Sequence, residues 1–82
     1  MDFSEAQQRV MQLKTAPSRD VKLQIYGLFK QATVGDINTK RPGMFQMKER
    51  LKWDSWKSFE GRSSEDAEQE YVKLVESLVS ND

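Results

Sequence analysis

Between Tyr26 and Trp56 the chain reads YGLFKQATVGDINTKRPGMFQMKERLKWDSW, two aromatic-and-lysine segments on either side of a loop rich in glycine and proline. No other stretch limits the fold as much. In a helix, Tyr26 and Lys30 stand at i and i+4 with Phe29 beside them, so two rings and one ammonium project from the same side. Beyond the loop, Lys48 and Lys52 repeat the spacing. Like charges four apart on a helix repel by about 0.2 to 0.5 kcal/mol, a local conflict that an anion held between two helices would relieve. The spacing also fits a solvated lysine face beside an aromatic core stripe, and by itself favours that plainer arrangement.

Composition narrows the chemistry. Eighty-two residues suffice for one domain with a single modest core. The chain has no cysteine, which removes disulfides, thiol nucleophiles and thiolate metal sites and points to a reducing, cytoplasmic compartment. It has no histidine either, so the usual zinc ligand sets, imidazole bases and serine triads cannot be assembled. An ordinary catalytic site, a metal and a resident cofactor are therefore not expected. Thirteen basic and thirteen acidic residues cancel, which argues against a general nucleic-acid binder. The charge is segregated, however. From Lys22 to Lys57 eight basic residues face three acidic ones, and from Glu60 to Glu76 the balance reverses. A concentrated basic middle suits one compact polyanion.

Along the chain, apolar runs never exceed two residues, so neither a membrane span nor a secretory leader is signalled. Asp2 and Glu5 mark a helix start, with Phe3, Ala6, Val10 and Leu13 on one side, and Pro17 limits its extent to about residue 14. Ser18 caps a second helix whose buried stripe is Val21, Ile25, Leu28 and Ala32, while Tyr26, Phe29, Lys30 and Thr33 form a different face. Gly35 to Gly43 is a loop by its turn residues. Met47 and Leu51, then Trp53 and Trp56, continue helical spacing, and at least one tryptophan is expected in the core. Ser63 and Asp66 open a last helix with Ala67, Tyr71, Leu74 and Leu78 inward, Tyr71 being either buried or at the stripe's edge. The expected helices span about 2–14, 19–34, 46–59 and 63–79 of one all-α domain covering residues 1–82.

KQATVGD at Lys30 to Asp36, RPGM at Arg41 to Met44 and KWDSW at Lys52 to Trp56, in this order and at these distances, closely resemble the acyl-CoA binding protein family. The resemblance runs from about Phe3 to Leu78. It implies a four-helix up-down-down-up bundle that binds long-chain fatty acyl-CoA esters and carries them without breaking a bond. It further implies that Lys30 and Lys52 pair with phosphate, that Tyr26 and Tyr71 contact the adenine nucleotide, and that Lys48 assists nearby, with Phe29 on the same face. Met11, Leu23, Met47 and Leu51 are secondary candidates around the ligand. Three of these positions depart from the family pattern: Phe29 stands where tyrosine is common, Met11 where many members have lysine, and Leu51 where a small residue is common. The expected partners are the acyl-CoA ligand and, transiently, acyl-CoA-using enzymes or a membrane surface, with no nucleic acid, for a monomeric chain. The alternatives are a non-catalytic helical interaction module, or the same acyl-CoA binding domain within a larger protein.

Overall fold

The structure, a computed structural model, describes all residues from Met1 to Asp82 and consists of four helices and no strands. They are α1 (Phe3–Met11), α2 (Arg19–Thr33), α3 (Met47–Ser58) and α4 (Ser64–Ser80). Three of them start on side-chain caps. The Asp2 carboxylate accepts from the Glu5 amide at 2.7 Å, the Ser18 hydroxyl from Val21 and the Ser63 hydroxyl from Asp66. Each satisfies an amide that the helix itself leaves unpaired. α3 lacks such a cap, because Gln46 makes no side-chain bond to its first turn.

α1 ends earlier than its sequence predicts, at Met11 instead of about residue 14. The amides of Lys14 and Thr15 donate to the Asp82 carboxylate at 2.9 and 3.0 Å, so they are drawn away from helical partners. A residue 67 positions downstream thus ends this helix's influence on the chain.

Neighbouring positions fix the helix directions. Tyr26 faces Lys52 and Lys30 faces Trp56, so residue numbers rise together and α2 runs parallel to α3. Ala32 meets Ser64 while Leu28 shares a recess with Glu70 and Leu74, so α2 runs antiparallel to α4. Phe3 packs on Tyr71 and Lys14 meets Asp82, so α1 runs parallel to α4. The result is the up-down-down-up bundle. α2 packs on α3 and α4, α1 packs on α4, and α3 has α2 as its one helical neighbour.

Ala6, Leu28, Tyr71 and Val75 form the buried cluster, with Phe3, Ile25, Phe29 and Phe59 among the side chains packed around it. Only nine of 82 residues are buried, and the molecule measures 15 Å across its shortest axis, little more than one helix diameter of about 10 Å. Such a thin bundle keeps its stability in few contacts and leaves broad open faces. No helix is long and apolar enough to cross a membrane.

Candidate ligand-binding site

The parallel run of α2 beside α3 brings two i, i+4 pairs into register. Tyr26 and Lys30 come from α2, and Lys52 and Trp56 from α3. Each lysine lies over the other helix's ring: Lys30 Nζ is 5.2 Å from the Trp56 ring centroid, and Lys52 Nζ is 5.6 Å from that of Tyr26. Ammonium over an aromatic face is an attraction of about 0.5 to 2 kcal/mol, enough to orient a side chain without neutralising it. Lys30 is in no ion pair, and Lys52 has only a long 3.9 Å contact with Glu49. Thr39, Pro42, Glu49 and Trp53 complete a recess of about 230 Å³ around these four.

Close approach of the two helices depends on Gly27. A Cβ there would stand 2.6 Å from Ser55 Oγ and 2.8 Å from the Phe59 ring, so any side chain would push α3 outward. The Ser55 hydroxyl donates to the Leu23 carbonyl across the same seam.

The loop from 34 to 46 is tied to α3 by the residues that make the sequence motifs recognisable. Trp56 Nε1 donates to the Gly35 carbonyl at 2.7 Å and Trp53 Nε1 to the Thr39 carbonyl at 3.0 Å. Arg41 grips Asp54 with two bonds of 2.9 and 2.8 Å, the bidentate geometry that a guanidinium favours with carboxylate. These bonds hold the Asp54 carboxyl below its usual pKa and push the Arg41 guanidinium above its own. Asp36 is held low first by the Gly61 amide and then by the Gln31 amide group. Gln31, buried in the fold, also donates to the Arg62 carbonyl at 2.9 Å, so it joins the loops at both ends of α3.

The sequence candidates fall into three places. Tyr26, Lys30 and Lys52 meet in the recess. Phe29 and Tyr71 lie in an aromatic group around Phe3, with Phe3 stacked on Phe29 at 6.3 Å and edge-on to Tyr71 at 5.0 Å. Tyr71 is buried, and its burial pushes the phenol pKa up; Phe29 is half-buried against the core. Lys48 is exposed and does not line the recess. Of the secondary candidates, Leu23 and Leu51 are half-buried on α2 and α3, Met47 is exposed at the start of α3, and Met11 stands in solvent at the end of α1. Trp56 is the expected buried tryptophan, yet it also forms one wall of the recess. Its place four residues after Lys52, mirroring Tyr26 before Lys30, was the available signal for that second role.

Two ammonium groups seated over two ring faces make a surface that can hold an anion attached to a flat group. The family profile described as acyl CoA binding protein matches residues 1–75. The chain belongs to the acyl-CoA binding protein family. The acyl-CoA-binding protein 2 of Saccharomyces pastorianus is 49% identical over 78 residues, covering 95% of this chain and 90% of that protein. The acyl-CoA-binding protein of Gossypium hirsutum is 52% identical over 77 residues, covering 94% and 86%. The crystal structure of Oryza sativa acyl-CoA-binding protein 2 superposes with a TM-score of 0.92 at 44% identity, covering 96% of this chain and 86% of that one.

Proposed function

We propose that this member of the acyl-CoA binding protein family binds long-chain fatty acyl-CoA esters and serves as a carrier and buffer for them. The observation that carries the reading is the reciprocal seating of Lys30 on Trp56 and of Lys52 on Tyr26. A coenzyme A head group brings phosphates for the ammonium groups and a flat base for the rings. Its multiple charges suit point-like lysine cations, which follow a partly solvated phosphate better than a rigid fork does. Leu23 and Leu51, half-buried on the two facing helices, offer apolar surface beside the recess for the acyl chain. Phe29, Lys48 and Tyr71 belong to the same proposed site as outlying contacts, with Met11 and Met47 at its margins. The chain acts without catalysis, as a monomeric single domain in the cytoplasm, and hands its ligand to the enzymes that use such esters.

Calorimetric titration with palmitoyl-CoA, free palmitate and free coenzyme A tests the reading. The ester should bind far more tightly than either fragment, because it alone joins phosphate contacts to burial of a chain worth about 0.8 kcal/mol per sequestered methylene. Equal affinity for free palmitate would sink it.

A further inference from the structure

The largest of the three main recesses of the molecule lies away from the seam between α2 and α3. It measures about 490 Å³ and opens between the start of α1 and the side of α4, with Phe3 and Val72 as an apolar floor and Asp2, Glu65, Glu68 and Glu76 around it. Against these four carboxylates stand the Lys73 ammonium and the N-terminal ammonium, which Glu76 holds at 3.4 Å. No residue is shared with the recess at Lys30 and Lys52. Here the acidic balance of the segment from Glu60 to Glu76 reaches the surface, and acyl-CoA binding makes no use of it.

The chain carries the complement of this recess on another element. Met44 is 67% exposed, Phe45 96% and Met47 70%, all on the turn that leads into α3, and none lines a main recess, so they project. Adjacent exposed apolar side chains of this size mark an interaction surface. Lys40 and Lys48 flank them without an ion pair, and no acidic residue stands between positions 37 and 48. The uncapped start of α3 adds the positive end of a helix dipole. Projection and recess thus match twice, apolar tip to apolar floor and basic collar to acidic rim.

The two cannot meet within one molecule. α3 packs on neither α1 nor α4. They also lie toward opposite ends of α2. Met47 precedes Lys52, which faces Tyr26, and so lies toward the start of α2, whereas Glu65 follows Ser64, which meets Ala32 near its end. We propose that Met44, Phe45 and Met47 of one copy seat in the recess between α1 and α4 of a second copy, with Phe45 against Phe3 and Val72 and with Lys40 and Lys48 opposite the carboxylates of the rim. The joined surfaces differ, so the contact is heterologous, and every docked copy still offers a free tip or a free recess to the next. Three side chains and a few charges make an interface below about 1,200 Å², in the weak and transient class. Dilute protein is therefore the monomeric carrier, and concentrated protein forms short head-to-tail chains. The contact goes beyond acyl-CoA binding and needs no ligand, so the two readings stand or fall separately.

Sedimentation equilibrium and amide chemical shifts of the unliganded protein, followed at low salt from micromolar to millimolar concentration, provide the test. The average mass of the wild type should rise with concentration and pass that of a dimer, while the amides of residues 44 to 48 shift together with those of Phe3, Glu65, Glu68 and Val72. Phe45→Ser, which spoils the tip, and Glu68→Lys, which spoils the recess, should each weaken self-association about tenfold or more. Neither side chain is in the core, so unchanged helical circular dichroism is expected for both. The decisive arm mixes the two variants. The intact tip of Glu68→Lys should enter the intact recess of Phe45→Ser with wild-type affinity, and growth should stop at a dimer because the two spoiled surfaces remain at its ends. A wild type that stays monomeric, with shifts independent of concentration, overturns the proposal. Shifts confined to residues 44 to 48 would mean tip against tip, and shifts confined to the recess would mean recess against recess; either overturns it. So does a mixture that associates no better than its separate components.

Discussion

Where α2 meets α4 the contact is made by Leu28, Ala32, Ala67, Tyr71 and Val75, all buried, whereas the α2–α3 seam buries little besides Gly27 and Trp56 and is otherwise lysine, tyrosine, serine and hydrogen-bonded indole. One side of α2 holds the fold together by removing apolar area from water. The other holds two cations in place while leaving them open. A thin protein can do both because a helix has more than one face, and the two faces of α2 share almost no residues. Substitutions on the first side should therefore act on stability, and those on the second on binding.

Tyr71→Ala should break the comparison hardest from the core side. Deleting a buried aromatic ring costs about 3 to 5 kcal/mol, a large share of the total for a domain this size, and should appear as a collapse of the urea midpoint. Tyr71→Phe, by contrast, should keep the midpoint. If it weakens palmitoyl-CoA binding, the hydroxyl reaches the ligand from the core side and the separation is incomplete.

Lys30→Ala and Lys52→Ala address the other face. Each should weaken palmitoyl-CoA binding by about 2 kcal/mol in calorimetry while leaving circular dichroism unchanged, since the lost ammonium leaves a ligand phosphate without its partner. The loss should shrink for an ester that lacks the 3'-phosphate. Identical losses for both esters would detach the lysines from that phosphate.

Phe29→Tyr lies on the boundary. The Phe29 ring packs on Phe3 yet remains half-exposed, so an added hydroxyl can stay in water or meet an anion. We expect an unchanged melting temperature and tighter palmitoyl-CoA binding, by about 1.5 kcal/mol for a hydrogen bond to a charged group. A lower melting temperature with no gain in affinity would place the ring wholly with the core.

The smallest effect concerns acid. Asp36, Asp54 and Asp82 all have folded-state pKa values below the ordinary carboxylate value, through amide bonds for Asp36 and Asp82 and through Arg41 for Asp54. A lowered folded pKa stabilises the fold above the unfolded value of about 3.9, and that contribution disappears as pH falls through the lowered one. Urea midpoints should consequently decline below about pH 4, and Asp54→Asn should flatten the decline. With no histidine, no imidazole step is expected between pH 5 and 8.

Local chemistry made the helix starts legible, because Asp2, Ser18 and Ser63 cap amides only three residues away. The early end of α1 was not legible, since it depends on Asp82 from the other end of the chain. Lys30, Lys52 and Tyr26 could be singled out by spacing, but their exchange of rings across the seam could not. It requires α2 and α3 to be parallel and as close as Gly27 permits, and nothing within either helix states its neighbour's direction. Gln31 escaped notice for a related reason. A buried polar residue on an apolar face has meaning only once its partners at Asp36 and Arg62 are in place.

α3 has one helical neighbour, so its local opening is opposed by a single seam and by the loop bonds of Trp53, Trp56 and Arg41. Segments with so few supports open at less than the global unfolding free energy. Any ligand lodged across that seam adds RT ln(1 + [L]/Kd) to the opening cost, with no new protein contact required. The amide exchange rate of α3 thus becomes a gauge of how much of the protein is loaded, while α4, supported from two sides, exchanges through larger openings and reports on the fold as a whole.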